Sequence, residues 1–176
     1  MNSYFNTNIE FDHSVFYNAI NQCIIKKRKG YVCVIDANVL TLAQKSPGYL
    51  EIINKALVNT CDGSSIAWLA GLVHRERFTA LNGPEIFSSL IEKEYKQLLV
   101  GSTVTVKTKI KEKLLKKGKN DKHLFYMPLP FLGVDEFDYQ VIANEINELQ
   151  PEIIWVSLGA PKQEIFMSKL LPHLNS

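Results

Sequence analysis

The sequence predicts an α/β fold, a Rossmann-like three-layer sandwich around a mostly parallel sheet of about six strands. Three observations carry that expectation. Short apolar runs alternate with longer amphipathic ones along the chain, five or six times over, as in successive βαβ units. Most of the short runs are continuously hydrophobic rather than alternating, as parallel strands buried on both faces are. No internal repeat or low-complexity linker breaks the pattern, and residues 1–176 read as one domain.

Taken in order, a helical pattern near 14–29 leads into the strand "YVCVID" (31–36), and a second near 39–55 into "ALVNT" (56–60). A helix over 63–75 precedes "RFTAL" (77–81), and one over 84–96 precedes "QLLVG" (97–101). A helix over 103–118 follows, with Val106, Ile110 and Leu114 every four residues, then the surface loop "KKGKNDK" (116–122) and "HLFYM" (123–127). The helix at 136–149 has Asp135 as its expected cap and Asp138 three residues on, as in a capping box. Its apolar stripe is Phe137, Val141, Ile142, Ile146 and Leu149. Pro151 stops it, "IIWVSLG" (153–159) is the last strand, and a helix over 162–172 closes the order.

Composition narrows the classes of function. The chain is 46% hydrophobic and 22% charged, enough apolar material for a full core. A net charge of +2 gives no global field for nucleic acid. No apolar run approaches the roughly 20 residues that span a bilayer, and "MNSYFNTNIEFDHS" lacks the features of a signal peptide. Cys23, Cys33 and Cys61 have no C-x-x-C spacing and read as reduced packing thiols of a cytosolic protein. His13, His74, His123 and His173 form no ligand pattern, so no metal site is expected.

Open α/β sheets bind ligands outside the carboxyl ends of their strands. That rule selects Asp36-Ala37-Asn38, Thr60-Cys61-Asp62-Gly63, Asn82-Gly83-Pro84-Glu85, Gly101-Ser102-Thr103 and "GAPKQE" (159–164). Asp36 and Asp62 are each either a turn-former or cap, or a carboxylate presented to a ligand for acid/base work. Ser64 or Ser65 could cap the helix after Gly63. Gly101-Ser102-Thr103 is either a phosphate-cradling turn or a plain N-cap, without the G-x-G-x-x-G or Walker-A fingerprint. Arg75 and Arg77 are two of only three arginines. Arg77 either offers its fork to a diphosphate or pairs with Glu76 or Glu85. Eight lysines between Lys107 and Lys122 face only Glu112 and Asp121, a local balance of +6. Such a face is either solvated surface or attracts a phosphate-bearing or anionic-lipid partner. Pro161 suits the first turn of a helix, opening onto Lys162, Gln163 and Glu164.

In this order these pieces resemble the WecG/TagA/CpsF glycosyltransferases (glycosyltransferase family 26). Asp36-Ala37-Asn38 falls at the family's Thr-x-Asn-like turn, and Asp62-Gly63 at its Asp-Gly. Glu76-Arg77 leading to Asn82-Gly83-Pro84 stands for Glu-Arg-x-x-Gly, "LLVGS" (98–102) for a strand ending in Gly, and "GAPKQE" for Gly-x-Pro-Lys-Gln-Glu. The resemblance covers about residues 30–172, and its last motif is the most specific. It implies metal-independent, inverting transfer of an N-acetylmannosamine-like N-acetylhexosamine from a UDP-sugar, with no cofactor. The implied acceptor is an undecaprenyl-diphosphate-linked saccharide of teichoic acid, common antigen or capsule synthesis.

It further implies that Asp62 is the general base and that Arg77 meets the charge of the leaving UDP. Asp36, Asn38, Gly63, Gly83, Gly101, Ser102, Gly159, Pro161, Lys162, Gln163 and Glu164 would then bind substrate. A cytoplasmic location with peripheral contact at the inner face of the plasma membrane is implied, as is a homo-oligomer. Two departures stand out. Val34-Ile35-Asp36 in the Thr-x-Asn register loses a hydroxyl and exchanges an amide for a carboxylate, which when ionised only accepts hydrogen bonds. The chain also ends at "LLPHLNS", where family members continue through another strand and an arginine-rich segment. The expectation is therefore a C-terminally truncated form. Its alternative function is nucleotide-sugar binding without turnover; an unrelated oxidoreductase is disfavoured because no dinucleotide fingerprint follows "YVCVID".

Overall fold

The structure is a computed structural model and describes residues 3–175. The chain divides into two compact units, one running up to Phe87 and the other comprising Ser88–Asn175.

The first unit opens with two short antiparallel strands absent from the sequence expectation, β1 (Ser3–Tyr4) and β2 (Thr7–Asn8). Phe5 and Asn6 turn between them with positive φ. Asp12 then caps α1 (His13–Ile25), its Oδ1 accepting from the Ser14 and Val15 amides at 2.8 and 3.2 Å. Strand β3 (Val32–Ile35) pairs in parallel with β4 (Val58–Cys61), Ile35 opposite Cys61. The helical pattern between them is two helices rather than one. Pro47 forces Ser46 into extended backbone, which ends α2 (Ala37–Lys45) and starts α3 (Pro47–Asn54). The helix α4 (Ser64–His74) follows β4.

The run at 77–81 is a loop, not a strand. Its tie to β4 is the Leu81 amide on the Cys61 carbonyl (2.9 Å), with the Thr60 hydroxyl donating to the Leu81 carbonyl (3.1 Å). Its apolar residues pack sideways instead: Phe78 stacks on Phe11 (4.3 Å between centroids) and meets Tyr4 edge-on (5.2 Å). Hydrophobicity spent on an aromatic cluster looks the same in sequence as hydrophobicity spent in a sheet. The boundary between the two units falls inside α5 (Gly83–Ile91).

The second unit is built on three parallel strands in the order β6-β5-β7: β5 (Gln97–Val100), β6 (Leu124–Met127) and β7 (Ile153–Val156). Every residue of the central β5 is buried, as a strand covered on both faces must be. Between them run α6 (Val104–Lys116) and α7 (Tyr139–Leu149), with α8 (Lys162–Leu170) and a 3₁₀ turn at Leu171–His173 closing the unit. The class is thus α/β with parallel pairing. The described strands, however, form separate small sheets instead of one of about six.

The expected start of α7 also moves. Asp138, not Asp135, is the N-cap, through its Oδ1 on the Val141 amide at 3.0 Å. Asp135 instead pairs with Lys169. Phe137 lies outside the helix yet still in the core with Leu98, Val100, Met127, Ile142, Ile146, Phe166 and Leu170.

One buried amide joins three elements of this unit. Gln97 donates through Nε2 to the Leu90 carbonyl at the end of α5 (2.9 Å) and accepts from the Trp155 indole of β7 (2.8 Å). Removing it leaves the carbonyls at the α5 terminus without that donor, and an unmet buried group costs about 1–3 kcal/mol on top of the cavity. Gln97→Ala is expected to lower stability by about 2–4 kcal/mol in urea unfolding. A change near zero would mean the amide is dispensable.

Tyr139 donates to the Val134 carbonyl at 2.7 Å, and burial, with the Asp135 carboxylate near, pushes its phenol up to about 12. In the unfolded chain a phenol ionises near its ordinary value of about 10. The folded state therefore holds this proton longer. Its contribution is complete below pH of about 10 and fades as pH rises towards 12. Urea unfolding across that window should show stability falling, with a shallower fall in Tyr139→Phe.

Candidate active site

In the first unit the site grows from the pairing of β3 with β4. The ladder runs one step past the strands, the Asp62 amide donating to the Ile35 carbonyl at 2.9 Å. Asp36 and Asp62 therefore follow directly on neighbouring parallel strands, at their carboxyl ends. Their side chains differ in use. Asp36 caps α2, its Oδ1 accepting from the Val39 amide at 2.7 Å. Asn38 is exposed in the first turn of the same helix. Asp62, half-buried, accepts from the Gly83 amide through Oδ1 at 3.0 Å. Its other carboxylate oxygen accepts no hydrogen bond among the described residues. Asp62, Gly63 and Gly83 are thus brought together, with Asp36 one ladder position away.

Gly63 is the N-cap of α4, and neither Ser64 nor Ser65 supplies a side-chain cap. The first-turn amides of that helix remain available beside Asp62. Asn82, selected together with Gly83 but with no capping role expected, accepts at Oδ1 from the Glu85 amide (2.9 Å) at the start of α5, whose first residue is Gly83. Asn before Gly-Pro was the available signal.

Arg77 lies on the exposed loop after α4 and forms no ion pair among the described residues, with Glu76, Glu85 or any other acid. The loop is shaped by a close turn. Arg75 is left-handed (φ 58), and the Glu76 carbonyl lies 2.5 Å from where a side chain on Gly71 would start, so only glycine fits there. Phe78, anchored in the aromatic cluster, fixes the backbone beside Arg77. Arg77 precedes Gly83 by six residues rather than the three of Glu-Arg-x-x-Gly.

Cys61 lies beneath the tip of β4, fully buried, its thiol 3.2 Å from the Gly63 carbonyl. Burial pushes this thiol up, backbone hydrogen bonds oppose that, and the Asp62 charge adds to the rise. It stays protonated near neutral pH and so is a packing group, not a nucleophile.

The second unit gathers the rest. Gly101 follows β5 with φ +74, and a side chain there would start 2.7 Å from Leu158 Cδ2 and 3.4 Å from the Ser157 carbonyl. This close approach seats the tips of β5 and β7 side by side, with the Ser157 amide on the Val100 carbonyl at 3.0 Å. Ser102 is held by its carbonyl, which accepts from the Tyr126 hydroxyl (2.6 Å), and Thr103 caps α6 through the Val106 amide (3.3 Å).

Beside them the turn from Gly159 (φ +74) passes a cis Ala160–Pro161 bond into α8. Gln163 braces it. Its Oε1 accepts from the Gly159 amide (3.2 Å), and its Nε2 donates to the Glu164 carboxylate (2.9 Å). Glu164 is fully buried in the first turn of α8, where the helix dipole favours a carboxylate. Lys162 donates to the Leu132 carbonyl and lies over the rings of Phe131 and Phe137, at 5.5 and 5.1 Å.

The lysine run keeps a free stripe. Lys111 pairs with Asp121 (2.9 Å), Lys117 pairs with Glu92, and Lys107 lies 5.5 Å over the Tyr126 ring. Lys109, Lys113 and Lys116 form no ion pair among the described residues. Among the described residues no group of three or more His, Cys, Asp or Glu could hold a metal ion. No described helix is long and apolar enough to cross a membrane.

An α/β protein with carboxylates, glycines and helix starts at the carboxyl tips of parallel strands is built to bind ligands there. The chain belongs to the WecG/TagA/CpsF glycosyl transferase family, whose model matches residues 4–176. Membership carries, in general terms, sugar transfer in cell-surface polysaccharide biosynthesis from a nucleotide-sugar donor to a lipid-linked acceptor. A search of curated proteins found no match.

Cys23, Cys33 and Cys61 are all buried, and none forms a disulfide among the described residues. In the native protein at mildly alkaline pH, all three should react with a thiol reagent far more slowly than in denaturing urea. Labelling of Cys61 at the unfolded rate would show the β4 tip to be open to solvent.

Proposed function

We propose that the chain transfers an N-acetylmannosamine-like N-acetylhexosamine from a UDP-sugar to an undecaprenyl-diphosphate-linked saccharide, with inversion and without a metal. The observation that carries this reading is Asp62: half-buried at a strand tip, held by one oxygen on the Gly83 amide, in a family of glycosyltransferases.

In one displacement the acceptor hydroxyl attacks the anomeric carbon and gives its proton to Asp62. The new carbon–oxygen bond forms as the bond to UDP breaks, and UDP leaves with that electron pair. Arg77 meets the charge growing on the diphosphate, as preorganised cations do for developing anions. The Gly83 amide fixes the angle of the Asp62 carboxylate and leaves its second oxygen for the proton.

Within the second unit, Gly159 and Pro161 shape one substrate-binding turn, and Gly101 with Ser102 lines the neighbouring strand tip. Glu164 works from within, holding Gln163 so that the Gly159 turn keeps its form, and Lys162 ties that turn to the loop at Leu132. Asp36, Asn38 and Gly63 are the substrate-binding residues of the first unit, with the first-turn amides of α4 beside Gly63. The enzyme works in the cytoplasm at the inner membrane face, where lipid-linked acceptors are elongated, and as a homo-oligomer.

Asp62→Asn keeps an acceptor for the Gly83 amide but cannot take a proton. It should lower transfer about 10²–10⁴-fold while calorimetric binding of the UDP-sugar stays unchanged. Arg77→Ala should lower kcat more than it raises KM; an unchanged kcat would remove Arg77 from the chemistry. If the unaltered chain binds the UDP-sugar but transfers nothing to a short-chain lipid-diphosphate acceptor, it is a binding module and not an enzyme.

A further inference from the structure

Helix α4 is apolar on both sides. Ile66, Ala67, Ala70 and Gly71 face the interior. On the opposite side Trp68, Leu69, Leu72 and Val73 are 68%, 44%, 61% and 62% exposed. Spacings of three and four residues make them one continuous stripe. A contiguous exposed stripe of this kind marks an interaction surface, unlike scattered apolar residues. Directly after it come Arg75 and Arg77, both exposed and neither in an ion pair among the described residues. Only Glu76 stands against them. A Trp-led apolar face bordered by unneutralised arginines is complementary to an anionic lipid interface, where the indole sits at headgroup depth and guanidinium groups meet phosphates.

We propose that α4 seats the protein on an anionic bilayer, with Trp68, Leu69, Leu72 and Val73 in the acyl boundary and Arg75 among the headgroups. The choice of lipid over another apolar partner rests on the proposed lipid-linked acceptor. The geometry gives this seat a purpose. Asp62 stands at the start of the same helix, six to eleven residues from the stripe, or roughly 9–16 Å along the axis. A saccharide carried on a membrane-embedded diphosphate would thus be presented near the proposed base without leaving the bilayer.

The test uses the two tryptophans, Trp68 and Trp155. The full chain is mixed with vesicles of phosphatidylglycerol and phosphatidylcholine, with pure phosphatidylcholine for comparison, and emission is followed with and without brominated acyl chains. A blue shift and bromine quenching are expected on anionic vesicles, weaker on neutral ones and weakened by salt. Both signals should vanish in Trp68→Phe. The Leu72→Ser/Val73→Ser double variant should lose at least about tenfold in vesicle affinity, because it removes apolar area from the buried face. Its circular dichroism and its transfer to a soluble short-chain acceptor should be unchanged.

Quenching that persists in Trp68→Phe, or vesicle affinity equal in the double variant, overturns the proposal. So does self-association by sedimentation that the double variant abolishes, with no vesicle binding, since the stripe would then cover a second copy. If the unaltered chain binds vesicles through α4 but transfers no sugar, the glycosyltransferase reading fails and the membrane seat stands.

Discussion

The parallel pairing of β3 with β4, Ile35 opposite Cys61, is the constraint on which the first unit's site depends. Because the ladder runs one step further, through the Asp62 amide on the Ile35 carbonyl, two carboxylates leave the sheet at adjacent positions. A one-residue slip of either strand would turn its carboxylate to the face opposite its neighbour's. The following turns then divide their work. Asp36 closes onto its own helix start. Asp62 instead reaches twenty-one residues along the chain to the Gly83 amide. That long reach separates a carboxylate held by a distant segment from a cap, since a cap needs only the next two or three residues.

The second unit applies the same logic with different chemistry. The positive φ at Gly101 favours a residue without a side chain, and the close approach of Leu158 and the Ser157 carbonyl there agrees. The turn after β7 is then stiffened from inside by Gln163 and the buried Glu164. A carboxylate removed from water needs compensation, which the Gln163 amide and the start of α8 provide. The polar residues of "GAPKQE" thus serve the shape of the turn as well as any ligand outside it.

Much of the architecture was legible because local physics decided it. Continuous apolar runs became parallel strands at five of six places, and Thr103, one of the two residues expected as an N-cap there, caps α6. The misreadings have physical causes. The Ser46-Pro47 break was written in the chain but outweighed by a long amphipathic period. At 136–149 two aspartates competed for one cap, and packing of Phe137 ahead of the helix gave it to the second. The run at 77–81 has strand-like composition, yet Phe78 finds its partners in Tyr4 and Phe11, more than sixty residues away.

By itself the sequence determined most of the helical segments, five of the six expected strands and the motifs at their ends, because period, proline and capping chemistry act over a few residues. Tertiary structure alone decided that Asp62 meets Gly83 while Asp36 does not, and that Glu164 is buried while Arg77 is free. It also decided that α4 turns a second apolar face outward. Each of these depends on contacts between distant segments. A local pattern shows that a side chain is acidic or apolar, but only the fold shows what it faces.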